Sequence, residues 1–131
     1  MKKLLPIFIY LFFFYEVKSE FDDLTGKQLL CKNLSETIGY DFISKEEIVN
    51  YKFWDLEGLL SIYKGKYETN LKTIILYFPI LMNVSMEINR KNLEVSLVGI
   101  KGDPTHVCKI FEGDLKAYFQ NLNTKAPIVF N

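Results

Sequence analysis

The chain has 131 residues, 49% hydrophobic and 24% charged, which suits one core and leaves no room for a second domain. Its sixteen basic and sixteen acidic residues cancel; without Lys2, Lys3, Lys18 and Glu16 of the N-terminal segment, thirteen and fifteen remain, a net charge of −2. No basic face able to neutralise a row of phosphates follows from that balance, which argues against nucleic-acid binding.

The N-terminus comes first. Met1-Lys2-Lys3 is a short positive start, Leu4 to Tyr15 is an uncharged run of 12 residues, and Glu16-Val17-Lys18-Ser19 turns polar. Val17 and Ser19 offer a signal peptidase the small or aliphatic residues it accepts. The run is short for a bilayer span and suits a secretory leader. Residues 1–19 therefore read as a signal peptide and 20–131 as one β-rich domain, exported to the periplasm or secreted. The alternative is an uncleaved anchor, which the bulk of Phe12, Phe13 and Phe14 favours. No cysteine lies near the cleavage point, so no lipid anchor is expected. Ile74 to Val84 is interrupted by Pro79 and Asn83, so the membrane is expected to be met only through the leader.

After a polar lead-in, Gly26 opens a first strand over Lys27–Lys32. Asn33 to Gly39 reads as a loop and Tyr40–Ile43 as a second strand. Val49, Tyr51 and Phe53 then alternate with Asn50, Lys52 and Trp54, the period of a half-buried strand. Gly58 breaks that run. Leu59–Tyr63 and Lys66–Thr69 flank Lys64-Gly65, which reads as a tight turn or bulge. Thr73–Phe78 is β-branched and aromatic and is closed by Pro79.

Met82, Val84, Met86 and Ile88 alternate with polar residues, and Leu93, Val95 and Leu97 resume the alternation after Asn89-Arg90-Lys91-Asn92, which predicts an antiparallel hairpin. Thr105–Phe111 is the last strand. Leu115, Tyr118, Phe119 and Leu122 fall on one face of a short helix capped by Asp114, packed on the sheet or across a barrel end. Lys125 to Asn131 reads as irregular because of Pro127. The pattern predicts a mainly β fold, an antiparallel meander curled into a small barrel or half-barrel, with a short C-terminal helix.

Two cysteines, Cys31 and Cys108, lie near the two ends of the domain. In an exported chain they are expected to form one disulfide that staples the strands closing the structure. His106, the single histidine, is two residues from Cys108; a bonded cysteine is no nucleophile, and the Asp103-Pro104 turn suggests that His106 is solvated. One His and two Cys without paired spacing fall short of a closed zinc set, so no metal is expected. Asp22-Asp23 and Glu46-Glu47 read as solvated loop carboxylates. Asp41 with Glu87 or Glu94 would face each other only by accident of folding, and no Gly-x-Ser-x-Gly turn or phosphate-cradling glycine loop is present. No catalytic residue and no cofactor are expected.

Of 20 aromatic residues, six lie in the leader. The cluster Tyr51, Phe53, Trp54, Tyr63, Tyr67, Tyr77 and Phe78 either fills the core or lines a ligand cavity; Tyr51, Phe53, Trp54, Tyr67 and Tyr77 are the candidate lining. Asn33-Leu34-Ser35 and Asn83-Val84-Ser85 match the glycosylation triplet, which carries little meaning in a chain rich in Lys, Asn, Ile, Phe and Tyr.

Asp23-Leu24-Thr25-Gly26-Lys27 with Cys31, Gly65-Lys66-Tyr67 before Thr73-Ile74-Ile75-Leu76, and Glu87 to Leu93 resemble small uncharacterised exported proteins of AT-rich marine bacteria. The same layout is similar to lipocalin-like barrels, although the opening strand has no Trp. The resemblance implies a fold more than an activity. The expected function is a non-enzymatic exported protein that binds a small apolar ligand or an envelope protein. The alternative is a periplasmic inhibitor or envelope-assembly module acting through a strand edge or loop.

Overall fold

Segments that alternate oily and polar residues bury one face only by pairing edge to edge, and this chain does so eight times in succession. The computed structural model describes residues 23–81, 85–99, 103–123 and 125–130; the segment read as a signal peptide, and Met82 to Val84 with the Asn83 of the second glycosylation triplet, lie outside them. The eight strands are β1 (Gln28–Lys32), β2 (Glu36–Phe42), β3 (Glu47–Trp54), β4 (Leu59–Thr69), β5 (Thr73–Tyr77), β6 (Ser85–Asn89), β7 (Glu94–Leu97) and β8 (His106–Ile110). Each pairs antiparallel with the next, and β8 returns to β1, so the meander is a closed barrel. Helix α1 (Leu115–Leu122) follows β8, and a short β9 (Ile128–Phe130) runs parallel to β4.

The up-and-down order sorts the connections. Residue 23, the β2–β3, β4–β5 and β6–β7 turns and the start of α1 lie at one end, here called proximal; the other four turns lie at the distal end. Cys31 and Cys108 face each other across the closing β1–β8 pair and are disulfide-bonded, as expected of an even pair of cysteines near the two ends of the domain.

The barrel interior is filled. Leu29, Cys31, Ile38, Tyr40, Phe42, Ile48, Tyr67, Leu76, Ile88 and Val95 are all buried in one cluster. A second cluster lies outside the wall, where Leu115 and Phe119 of α1 cover Leu30, Tyr51, Phe53 and Leu60. The helix starts where predicted. Asp114 accepts the Ala117 N–H at 3.1 Å, and the Gln28 side chain accepts the Leu115 N–H at 3.0 Å and donates to the Gly113 carbonyl. Gly39 leaves the room the helix needs, because a Cβ there would meet Phe119 and Leu115.

Three expectations are corrected. The loop over 33–39 is shorter, with β2 already running at Glu36. Asn33 makes the reversal by itself, its Oδ1 accepting the N–H groups of Ser35 (3.0 Å) and Glu36 (2.9 Å). Residues 125–131 are not wholly irregular, because the upper edge of β4 is left open where β5 pairs only with Lys66–Thr69, and Ile128–Phe130 pairs with Ser61–Tyr63 there. Lys64-Gly65 is no turn, since β4 runs unbroken through it. Gly65 is needed for close approach instead: an added Cβ would run into the Tyr77 carbonyl and lie 2.6 Å from Phe78 Cδ1. A Gly65→Ala variant is expected to lose about 1–3 kcal/mol, the usual cost of overpacking, in urea titration. An unchanged midpoint would remove this account of the position.

Candidate functional site: a cleft above a buried disulfide

Strand lengths create a concavity at the proximal end. β7 pairs with β8 only through Glu94↔Val107 and Val95↔His106, whereas the β1–β8 ladder continues to Leu29↔Ile110. The end of β8 therefore runs past the β6–β7 turn and leaves a notch at the proximal end. Leu24, Leu29, Phe42, Ile74, Leu93 and Ile110 wall a cleft of about 170 Å³ there, and Lys27, Gln28 and Arg90 complete its lining. Ile110 is 69% exposed although it sits on the inward-facing side of β8, which is what an unfilled strand end produces.

Arg90 fixes one wall. Its N–H donates to the Lys72 carbonyl at 2.9 Å and its guanidinium to the Asn70 carbonyl at 2.9 Å, which ties the β6–β7 turn to the β4–β5 turn. That turn closes through Asn89, whose Oδ1 accepts from Lys91 (2.9 Å) and Asn92 (3.3 Å). Leu93 then takes φ 60°, the left-handed region that glycine or asparagine normally fills. A leucine held there costs about 1–2 kcal/mol. Its carbonyl accepts the Cys108 N–H at 2.9 Å, and its side chain forms part of the cleft. Strain of this kind persists only where the surroundings over-determine it, and it concentrates at binding sites.

One layer deeper lies a polar cluster. His106 is 7% exposed, so the expectation of a solvated ring is corrected. On β8, positions 106 and 108 share the inward face, and the Asp103-Pro104 turn ends before the ring. Tyr40 Oη lies 3.0 Å from His106 Nε2, and Thr105 Oγ1 lies 2.8 Å from Nδ1. The Thr105 hydroxyl spends its one hydrogen on the Val95 carbonyl at 3.0 Å, so it accepts from Nδ1–H. Nε2 then carries the lone pair and accepts from Tyr40. Burial, helped by the Lys52 charge and opposed by Glu36, lowers the His106 pKa to about 4. Burial also pushes the Tyr40 hydroxyl well above its ordinary range. Sulfur atoms of Cys31 and Cys108 and a ring nitrogen of His106 all lie within 4.8 Å of one another.

The five aromatics singled out as candidate lining do not share a cavity. Tyr51 and Phe53 point outward and are buried under α1, with Tyr51 stacked on Phe119 at 5.3 Å. Tyr77 is exposed on the outer face of β5. Trp54 and Tyr67 take the inner side at opposite ends: Lys52 Nζ lies 5.6 Å from the Trp54 ring distally, and Tyr67 donates to the Ser44 carbonyl at 2.6 Å proximally. None of the five belongs to the cleft wall. Alternation showed that β3 has two kinds of face but not which one looks inward, because α1 makes the outer face oily as well. The cleft residues had no signal of their own in the sequence.

Among the described residues no helix is long and apolar enough to cross a membrane. No protein-family model, curated protein or solved structure matches this chain.

Proposed function

We propose that this is an exported, non-enzymatic binding protein that takes a short amphiphile, an acyl chain or single ring with an anionic head, in the proximal cleft. The observation that carries the reading is the cleft itself: six apolar side chains around about 170 Å³, with Lys27 and Arg90 among the other residues that line it. A dry cavity of about 150 Å³ lined by Leu, Ile and Phe accommodates benzene, so a six-carbon tail matches this space. Export is supported by the disulfide, since such bonds persist in oxidising compartments.

Magnitude sets the expected affinity. The five apolar carbons of hexanoate at about 0.8 kcal/mol each give about 4 kcal/mol, which corresponds to a Kd of about 1 mM before any head-group term. Hexanoate, titrated into the protein and followed by chemical-shift changes, is expected to saturate in the millimolar range and to shift residues around Ile74 and Ile110. Leu93→Trp fills the cleft and is expected to weaken binding at least tenfold. Lys27→Glu is expected to weaken hexanoate severalfold and leave hexanol unchanged. Hexanoate binding that ignores Leu93→Trp would overturn the assignment.

A second reading, an inhibitor or envelope-assembly module, is favoured by one observation. Leu34, Leu56, Ile80 and Val98 are exposed, each in a different distal connection. A cleft that takes neither hexanoate nor hexanol would leave that reading in place.

A further inference from the structure

Among the described residues, three buried side chains able to ligate a metal meet at one point, and the cleft reading has no use for them. We propose that, when the Cys31–Cys108 bond is reduced, Cys31, Cys108 and His106 bind one Zn²⁺ inside the barrel, so that disulfide and zinc are alternative staples of the β1–β8 pair.

The geometry is already assembled. Strand register sets Cys31 directly opposite Cys108, and the two-residue period of β8 puts His106 on the same inner face. All three are buried and their ligand atoms span no more than 4.8 Å. Zinc ligation needs an imidazole lone pair, and zinc-bound histidines nearly always donate their other N–H to a fixed acceptor. His106 meets both conditions. Nδ1–H is held by Thr105, itself anchored on the Val95 carbonyl, and Nε2 presents its lone pair to a single donor, the Tyr40 hydroxyl. A metal taken at Nε2 would displace only that hydrogen bond. The three side chains fill three of the four positions zinc prefers.

Charge selects the cation. Two thiolates and Zn²⁺ sum to zero, so the loaded site buries no net charge, whereas a monovalent cation such as Cu⁺ would leave one negative charge in the core. Access comes from the cleft. Leu29 and Ile110, the next inward pair on the same two strands, line it, so the sulfurs lie one inward position further along the strands.

The chemistry balances with a phosphine reductant. The phosphine attacks one sulfur, the S–S bond breaks, and water delivers oxygen to phosphorus and two protons to the sulfurs, giving two thiols and one phosphine oxide. Zn²⁺ then displaces the two thiol protons. A dithiol does the first step equally well, becoming a cyclic disulfide, but it would compete for the metal.

The test uses the full domain, reduced with tris(2-carboxyethyl)phosphine without air and titrated with Co²⁺ as a coloured stand-in for Zn²⁺. One Co²⁺ per chain is expected, with thiolate charge-transfer and tetrahedral d–d absorption that one equivalent of Zn²⁺ bleaches. The oxidised protein is expected to show neither band. His106→Ala is expected to weaken binding at least tenfold. If the reduced chain unfolds without metal, one equivalent of Zn²⁺ is expected to restore the β circular dichroism of the wild type but not of His106→Ala. Failure of the reduced wild type to take up Co²⁺, an octahedral spectrum, or equal affinity in His106→Ala would overturn the proposal. None of these outcomes bears on the hexanoate experiment, which is done on oxidised protein.

Discussion

Replacing Cys31 and Cys108 together by alanine is expected to lower the unfolding free energy by about 4.5 kcal/mol. The bond closes a loop with a sequence separation of 77, and the chain-entropy estimate for a loop of that size gives this figure. Against the roughly 5–15 kcal/mol that holds such a domain together, it is the largest single contribution we identify. Backbone pairing explains why the bond matters. β8 is held to β7 by two residue pairs and to β1 by four, and everything C-terminal to it, including α1, hangs on that closure. Guanidinium titrations of both proteins would measure the loss. The variant is also expected to show a larger m value, because its unfolded chain is no longer cross-linked and exposes more surface. A loss below about 1 kcal/mol would mean that the β1–β8 hydrogen bonds close the barrel unaided.

The second large effect is a pH dependence with a defined sign. His106 has a folded pKa of about 4 against an ordinary value near 6.5, so the folded state favours the neutral ring. A depressed histidine is protonated in the unfolded chain before it is protonated in the folded one. Below pH 6.5 the unfolded state therefore binds more protons, and stability falls as pH drops. The loss is complete once pH passes the folded value near 4, and it totals about 3 kcal/mol over that window. The structural cause is burial: the ring lies among core side chains, where a charged imidazolium would lose its hydration. Glu36 and Lys52 act on the ring with opposite signs and pair with each other at 3.1 Å, so they offset rather than decide the shift. Denaturation midpoints from pH 7 to 4 for the oxidised wild type and for His106→Gln, compared as a difference, would isolate this group. Superimposable curves would remove the buried neutral imidazole from the account.

Much of the architecture is legible in the order of residues. The hairpin around Asn89–Asn92, the strand over Val49–Trp54, the capped helix after Asp114 and the Cys31–Cys108 bond all match the pattern that predicts them. These features share a local cause: side-chain period, a cap or turn residue, or the redox chemistry of an even pair of cysteines. The errors also share a cause. At Gly65 a glycine that permits close packing looks the same in sequence as one that permits a turn. At Tyr51 and Phe53 an oily face turned to a helix looks the same as one turned to a barrel interior. Ile128–Phe130 pairs with β4 because β5 leaves an edge open there, a fact about another part of the chain.

Local order along the chain, the alternating strands, the terminal helix and the pairing of the sulfurs are thus decided by neighbours within a few residues or by composition, and the sequence by itself determines them. The site is decided elsewhere. Leu24, Phe42, Ile74, Leu93 and Ile110 come from five separate stretches, and only the differing lengths of β7 and β8 leave a notch between them. Likewise His106 is a lone histidine in sequence, and the fold alone sets its ring between Tyr40, Thr105 and the disulfide. Strand register and strand length are settled by the closure of the whole barrel, a cooperative condition that no short window of sequence contains.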